Sequence, residues 1–79
     1  MNQEKVNHPN HYQSAEGIEA IDVISAFTKD INGVEAFDIG NVIKYVLRYK
    51  KKNGVEDLKK ALWYLKHAIV TIEREEEEK

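Results

Sequence analysis

The sequence of 79 residues contains no cysteine and a single proline, Pro9. Without cysteine, neither a disulfide framework nor a thiolate zinc site is available to stabilise the fold. The chain also lacks an apolar run of 18 residues, and it does not open with a charged-then-apolar leader. We therefore expect a cytosolic protein that neither crosses a membrane nor is secreted by a classical signal.

The short chain and the absence of sustained alternation between apolar and polar residues predict one small helical domain spanning residues 1–79. A chain of this size buries only about 60% of the surface that it exposes when unfolded. A monomer would therefore be marginally stable, and we expect a homo-oligomer.

The net charge of −2 is unevenly distributed along the chain. Residues 73–79 hold five glutamates against Arg74 and Lys79, a net charge of −3, which leaves nine acids and ten bases in the remainder. We expect this acidic end to be frayed and solvated. A nearly neutral domain with a local basic region fits a small anionic ligand better than a long nucleic acid, which usually requires a strongly basic surface.

Residues 34–52 form the central predicted helix. Its apolar residues recur with helical spacing: Ile39, Val42, Ile43, Val46 and Leu47. A narrow polar stripe lies nearly opposite and consists of Asn41, Lys44, Arg48 and Lys51, flanked by Tyr45 and Tyr49. No acid occurs between Ile39 and Asn53. This composition predicts a surface for phosphate and a flat ring, and the alternative is an ordinary solvated basic face.

Two further helices are predicted on either side of the central one. Isoleucines at helical spacing indicate a helix over about 17–28, which the Asn32-Gly33 turn separates from the central helix. Asn53-Gly54 ends the central helix, and a sustained seam then indicates a third: Leu58, Ala61, Leu62, Leu65, Ala68, Ile69 and Ile72. The short connection predicts an antiparallel hairpin. The predicted fold is all-α, with three helices and an extended N-terminal arm, residues 1–13.

The arm concentrates His8, His11 and Tyr12 within five residues. Two histidines could ligate a metal, but no third ligand follows at a helical spacing, so we assign no metal site. We expect these side chains to hydrogen-bond or stack on a ligand docked against the arm. The alternative is that Tyr12 only pins the arm to its own domain.

Two smaller signals lie in the first two predicted helices. Glu19 and Asp22 are three residues apart, so they are neighbours on a helix surface and could hold Mg²⁺ or act as acid and base. Simple solvation of the pair is the favoured interpretation. Gly40 inside the central helix indicates that another backbone or a ligand approaches closely there.

Four ordered motifs resemble a small bacteriophage family, DUF3310 or SaV-like, in which some members are labelled nucleotide kinase. The motifs are His8-Pro9-x-His11-Tyr12, Gly17-Ile18-Glu19-x-Ile21-Asp22, Phe37-x-x-Gly40-Asn41-x-x-Lys44-Tyr45-x-x-Arg48 and Glu56-Asp57-Leu58-x-Lys60-Ala61-x-Trp63-Tyr64-Leu65. The resemblance covers about residues 6–70. It implies a phage-encoded protein that acts in the cytoplasm of an infected bacterium and has a nucleotide as its ligand.

The leading hypothesis is a nucleotide-binding protein that sequesters a cyclic or modified nucleotide signal of bacterial antiviral defence. The residues expected to bind it are His8, His11, Tyr12, Asn41, Lys44, Tyr45, Arg48 and Lys51. In this hypothesis arginine grips phosphate bidentately, lysines add charge, and the rings stack on the base. The alternative is a nucleoside monophosphate kinase without a phosphate-binding glycine loop, which would use Mg²⁺. A third reading is a protein-interaction inhibitor of a host enzyme.

Overall fold

The computed structural model describes residues 17–78, and within them it contains three α-helices and no strand. These are α1 (Ala20–Thr28), α2 (Gly33–Arg48) and α3 (Val55–Glu77), with a short 3₁₀ turn (Tyr49–Lys51) between α2 and α3. The all-α, three-helix prediction is confirmed. In this part of the chain, none of the helices combines the length and apolarity that crossing a membrane requires.

Glycines set two of the helix boundaries. Gly33 has φ +59° directly after Asn32, where α2 begins, and Gly54 has φ +59° directly before α3. Both values lie in the left-handed region, which glycine adopts without the penalty that a Cβ carries. The Gly54 N–H also donates to the carbonyl of Tyr49 at 2.8 Å and closes the end of the 3₁₀ turn. Both predicted Asn-Gly boundaries are confirmed.

Helices α2 and α3 pack side by side in opposite directions. Asp38 near the start of α2 contacts His67 late in α3, and Arg48 at the end of α2 contacts Asp57 at the start of α3. The order of the two contacts is reversed between the helices, which is the geometry of an antiparallel pair.

Helix α1 packs against α2 at Gly40. A Cβ placed on that glycine would lie 3.4 Å from Cγ2 of Ile24. The neighbour at Gly40 is therefore a side chain of α1 at ordinary contact distance, and not the backbone or ligand that the sequence led us to expect.

The apolar interior of the described residues is small. Its buried apolar side chains are Ala20, Ala61 and Ala68. The apolar stripes of α2 and α3, which we expected each helix to bury as one face, are buried only in part: Leu62 is 48% exposed, Ile69 48% and Val46 44%. The difference arises because α3 turns its alanines and Asp57 toward α2, so the larger side chains lie beside the contact line.

Helix α3 continues through the acidic run as far as Glu77. The residues from Glu73 to Glu78 are exposed, as predicted. The helical hydrogen bonding extends to the end of α3, where the Glu78 N–H donates to the carbonyl of Arg74 at 3.1 Å.

Candidate functional site

Arg48 and Asp57 form a buried ion pair where α2 meets α3. The Arg48 Nε donates to Asp57 Oδ2 at 3.2 Å and its Nη2 donates to Oδ1 at 3.1 Å. Arg48 is only 6% exposed and Asp57 is fully buried. The expectation that Arg48 belongs to a solvent-facing stripe was therefore wrong, because α3 covers that side of α2 and supplies a carboxylate for it.

Asn53 completes the surroundings of Asp57. Its backbone N–H donates to Asp57 Oδ2 at 3.2 Å and its side-chain amide donates to Oδ1 at 3.3 Å. Burial alone would raise the pKa of Asp57, but the hydrogen bonds from Arg48 and Asn53 outweigh it and hold the pKa below its ordinary value. The carboxylate thus stays charged and joins the end of α2, the turn and the start of α3.

Four aromatic rings cluster on one side of the α2–α3 pair. Tyr64 lies at the centre: it stacks on Tyr45 with centroids 6.0 Å apart, meets Phe37 edge-on at 5.8 Å and meets Trp63 edge-on at 5.0 Å. Trp63 remains 59% exposed and Phe37 61%. The cluster therefore presents aromatic faces and edges to solvent instead of burying them all.

Cations surround the Tyr45 ring. The Nζ of Lys44 lies 4.7 Å from its centroid, the Nζ of Lys60 5.6 Å, and the Arg48 guanidinium carbon 4.7 Å. These distances are within the range in which a cation is attracted to a ring. Lys60 also contacts Glu56 at 3.6 Å in an exposed pair. We call Lys44, Tyr45, Lys60, Trp63 and Tyr64 the aromatic–lysine surface.

Two shallow recesses open along this side of α3 and share Trp63. The first, about 330 Å³, is lined by Tyr45, Lys60, Trp63 and Tyr64. The second, about 310 Å³, lies further along α3 and is lined by Trp63, Lys66, His67, Val70, Thr71 and Arg74. Each recess thus combines an aromatic wall with at least one cationic side chain.

His67 is held in place by a buried carboxylate. Its Nδ1 lies 2.6 Å from Oδ2 of Asp38, which is 1% exposed, and its ring stacks on Trp63 at 5.3 Å with an interplanar angle of 7°. The Asp38 contact and the Trp63 stack fix the orientation of the imidazole. His67 therefore presents a positioned, half-exposed ring at the edge of the second recess.

The structure brings together only some of the residues expected to bind a ligand. Lys44 and Tyr45 belong to the aromatic–lysine surface. Asn41 uses its amide to donate to the Phe37 carbonyl of its own helix at 2.9 Å. Lys51 is exposed in the 3₁₀ turn, beyond the helical stripe on which it was placed. Arg48 is held in the buried pair with Asp57, and the three residues of the arm, His8, His11 and Tyr12, lie outside the described residues.

The sequence indicated that Trp63 and Tyr64 are packed beside the seam or border a site, but it did not place them or Lys60 among the ligand-binding residues. Lys60 and Tyr64 contact Tyr45, and Trp63 lines the same recess, because the two helices pack antiparallel. A usable signal existed, since Lys60, Tyr64 and His67 recur at helical spacing on one face of α3. Asp38 was also missed, because a carboxylate between apolar neighbours gives no hint that a histidine 29 residues away will pair with it.

The acid pair considered for a metal is separate from this surface. Glu19 occupies the N-cap position of α1 and Asp22 lies exposed in its first turn. Across residues 17–78, no group of three or more acidic or histidine side chains is placed so that it could hold a metal ion.

Comparison with known proteins connects the chain to one family. The family model described as a protein of unknown function, DUF3310, matches residues 6–66. The Gene 1.7 protein of Enterobacteria phage T3 is 41% identical over 63 residues, which cover 75% of this chain and 38% of that protein, so the chain spans well under half of its relative. No solved structure matches the chain. The family match over residues 6–66 and the phage relative show that the chain belongs to the bacteriophage protein family DUF3310.

Proposed function

We propose that this protein binds a nucleotide at the aromatic–lysine surface and sequesters it. The observation that carries the proposal is the stack of Tyr45 and Tyr64 beside Trp63, with Lys44 and Lys60 within 4.7 and 5.6 Å of the Tyr45 ring. Aromatic faces accept any base by stacking, and lysines attract phosphate without requiring one fixed geometry. The family resemblance, which includes proteins labelled nucleotide kinase, supports the same ligand class.

The base is assigned to Trp63. It is the only tryptophan of the chain and is 59% exposed between the two recesses. Stacking of one base on an aromatic side chain contributes about 1–3 kcal/mol, which is sufficient to orient a small ligand.

In this proposal, the phosphates contact the cationic side chains on either side of the Trp63 ring. Lys60 lines the first recess, whereas Lys66 and Arg74 line the second. Cations on both sides of one aromatic ring suit a ligand with two phosphates, such as a cyclic dinucleotide, better than a mononucleotide. In an infected bacterium, a protein that sequesters such a signal would block antiviral defence.

The test is a fluorescence titration of the purified protein, with Trp63 as the reporter. Adenosine and guanosine monophosphates, their diphosphates and cyclic dinucleotides are added in turn, and each ligand is recovered by heating and identified by mass spectrometry. We expect Trp63 quenching, tighter binding of the cyclic dinucleotides, and recovery of the ligand unchanged. Conversion of a monophosphate in the presence of ATP and Mg²⁺ would instead make the protein a kinase.

Matched lysine variants locate the site. Lys60→Ala should weaken binding by about fivefold or more, because it removes one charge-assisted phosphate contact. Lys29→Ala removes an exposed lysine at the end of α1 and should leave the affinity unchanged. Equal affinity for both variants and the unmodified protein, or no quenching by any nucleotide, would contradict the proposal.

A further inference from the structure

An exposed apolar face runs along the α2–α3 pair and needs a partner. We define it by Val42, Val46, Leu58, Leu62, Leu65 and Ile69. On α3, Leu58 is 38% exposed, Leu62 48%, Leu65 41% and Ile69 48%. A contiguous apolar surface of this size is often a binding surface.

All six side chains lie on the same side of the pair. On α3, every residue of the apolar face comes directly after a buried or half-buried residue that packs toward α2. Leu58, for example, follows Asp57, and Leu62 follows Ala61. On α2, Val42 and Val46 likewise follow Asn41 and Tyr45. Consecutive side chains are rotated by about 100° around a helix axis. Because α2 and α3 run in opposite directions, the residue after each contact residue points to the same side of the pair on both helices. The aromatic–lysine surface is on the opposite side, and among residues 17–78 no side chain covers the apolar face.

We infer that a second copy of this chain covers the apolar face. Five of the six residues are 38–48% exposed and Val42 is half-buried, so together they offer on the order of 400 Å² of apolar surface per copy, about half of the ~800 Å² per partner of a specific interface. An apolar groove of about 430 Å³ between α1 and α2 adjoins this face, since Val42 and Val46 also line it, and Phe27 at its rim adds more area because it is 74% exposed. Because the described interior contains only alanines as buried apolar residues, a second copy also supplies the core that one copy lacks.

The N-terminal segment of the same chain is a poorer occupant. Residues 1–16 carry only Met1, Val6 and Tyr12 as large apolar or aromatic side chains. Three such side chains are too few to cover six.

Charge complementarity fixes the orientation of the second copy. Residues 50–60 carry five lysines against two acids, whereas residues 73–78 carry five glutamates against one arginine. A parallel arrangement of two α3 helices would place like charges together. An antiparallel arrangement about a two-fold axis near Leu65 places the basic end of each helix beside the acidic end of the other. In that register, Lys59 of one copy lies beside Glu73 of the second.

Sedimentation equilibrium of the full chain tests the interface. Leu62→Glu places a charge in the apolar face, and Val70→Glu places the same charge at a similarly exposed position (43%) on the other side of α3. We expect the unmodified protein and Val70→Glu to be dimeric at micromolar concentration. Leu62→Glu should be monomeric, or should lose helicity by circular dichroism, at the same concentration. A monomeric unmodified protein at 100 µM, or an unaffected Leu62→Glu dimer, would overturn the inference.

A charge exchange tests the antiparallel register. Lys59→Glu and Glu73→Lys should each raise the dimer dissociation constant by roughly two- to tenfold, as expected for exposed ion pairs. The double variant restores opposite charges at both positions and should return the dissociation constant to the original value. If the two effects simply add in the double variant, the antiparallel register is wrong.

Discussion

The Asp57 carboxylate accepts four hydrogen bonds at the α2–α3 junction. The arginine side chain, the Asn53 amide and the Asn53 backbone all donate to its carboxylate. A buried carboxylate with this many donors stabilises the fold only while it is ionised. The junction therefore depends on the charge state of one side chain.

The pH dependence of stability follows from the lowered pKa of Asp57. Folding favours the charged form, so the contribution is complete above the ordinary aspartate value of about 4 and is lost as the pH falls toward the lower folded value. We expect urea denaturation to show Asp57→Asn less stable than the unmodified protein by a constant amount above about pH 5. The difference should shrink below about pH 4.

Asp22→Asn is the control for that comparison, because Asp22 is exposed in the first turn of α1. Its effect on the free energy of unfolding should be small at every pH. A gap between Asp57→Asn and the unmodified protein that stayed constant down to pH 2 would show that the junction does not depend on ionised Asp57.

The residue scale is also where prediction from sequence reached its limit. Lys44 and Tyr45 were expected to lie together, and they do, because neighbours on one helix keep their relation in any packing. Arg48 was expected to face solvent, because a helical projection gives the angle of a side chain but not what lies opposite. The partner of Arg48, Asp57, lies in the first turn of the next helix, and helical spacing alone does not indicate that the two side chains pair.

At the scale of elements, the helices and their turns were predictable. Three helical periodicities and two Asn-Gly turns each carry local information, and all of them correspond to features of the structure. Which face of each helix is buried was not predictable from the same patterns. Small and polar residues occupy the contact between α2 and α3, where alanines allow the two helices to approach closely. Which residues lie in this contact depends on both helices and cannot be determined from one of them.

Gly40 controls the contact between α1 and α2. A Cβ at this position would be 3.4 Å from Ile24, which is an ordinary contact, but a larger side chain would displace α1. We expect Gly40→Ala to be neutral or to stabilise by up to about 1 kcal/mol through helix propensity. Gly40→Leu should destabilise by about 1–3 kcal/mol through overpacking.

Thermal unfolding monitored by circular dichroism distinguishes these two Gly40 variants. The Tm of Gly40→Ala should equal or exceed that of the unmodified protein, and that of Gly40→Leu should fall by several degrees. Similar Tm values for Gly40→Leu and Gly40→Ala would mean that α1 does not need close contact with α2 at this position.

At the scale of the whole molecule, the two sides of the α2–α3 pair differ in kind. One side carries aromatic rings and cations around Trp63, and the other carries the apolar face. In the dimer that we propose, the apolar faces meet in the middle and the aromatic–lysine surfaces remain on the outside. Each copy then keeps its own ligand site, and assembly and ligand binding are separable by mutation.

Stability should depend on protein concentration if a second copy completes the core. Assembly stabilises the folded state by mass action, so a tenfold rise in concentration adds about 0.7 kcal/mol per chain of a dimer. For a domain of this size that corresponds to a Tm increase of about 3–6 °C. We expect this increase in thermal unfolding for each tenfold step between 5 and 500 µM, both for the unmodified protein and for Lys60→Ala, whose substitution lies on the outer side. In Leu62→Glu the dependence should disappear, because the variant cannot bury the apolar face against a second copy. A Tm that stayed constant over this range in the unmodified protein would mean that the three helices are stable without a partner.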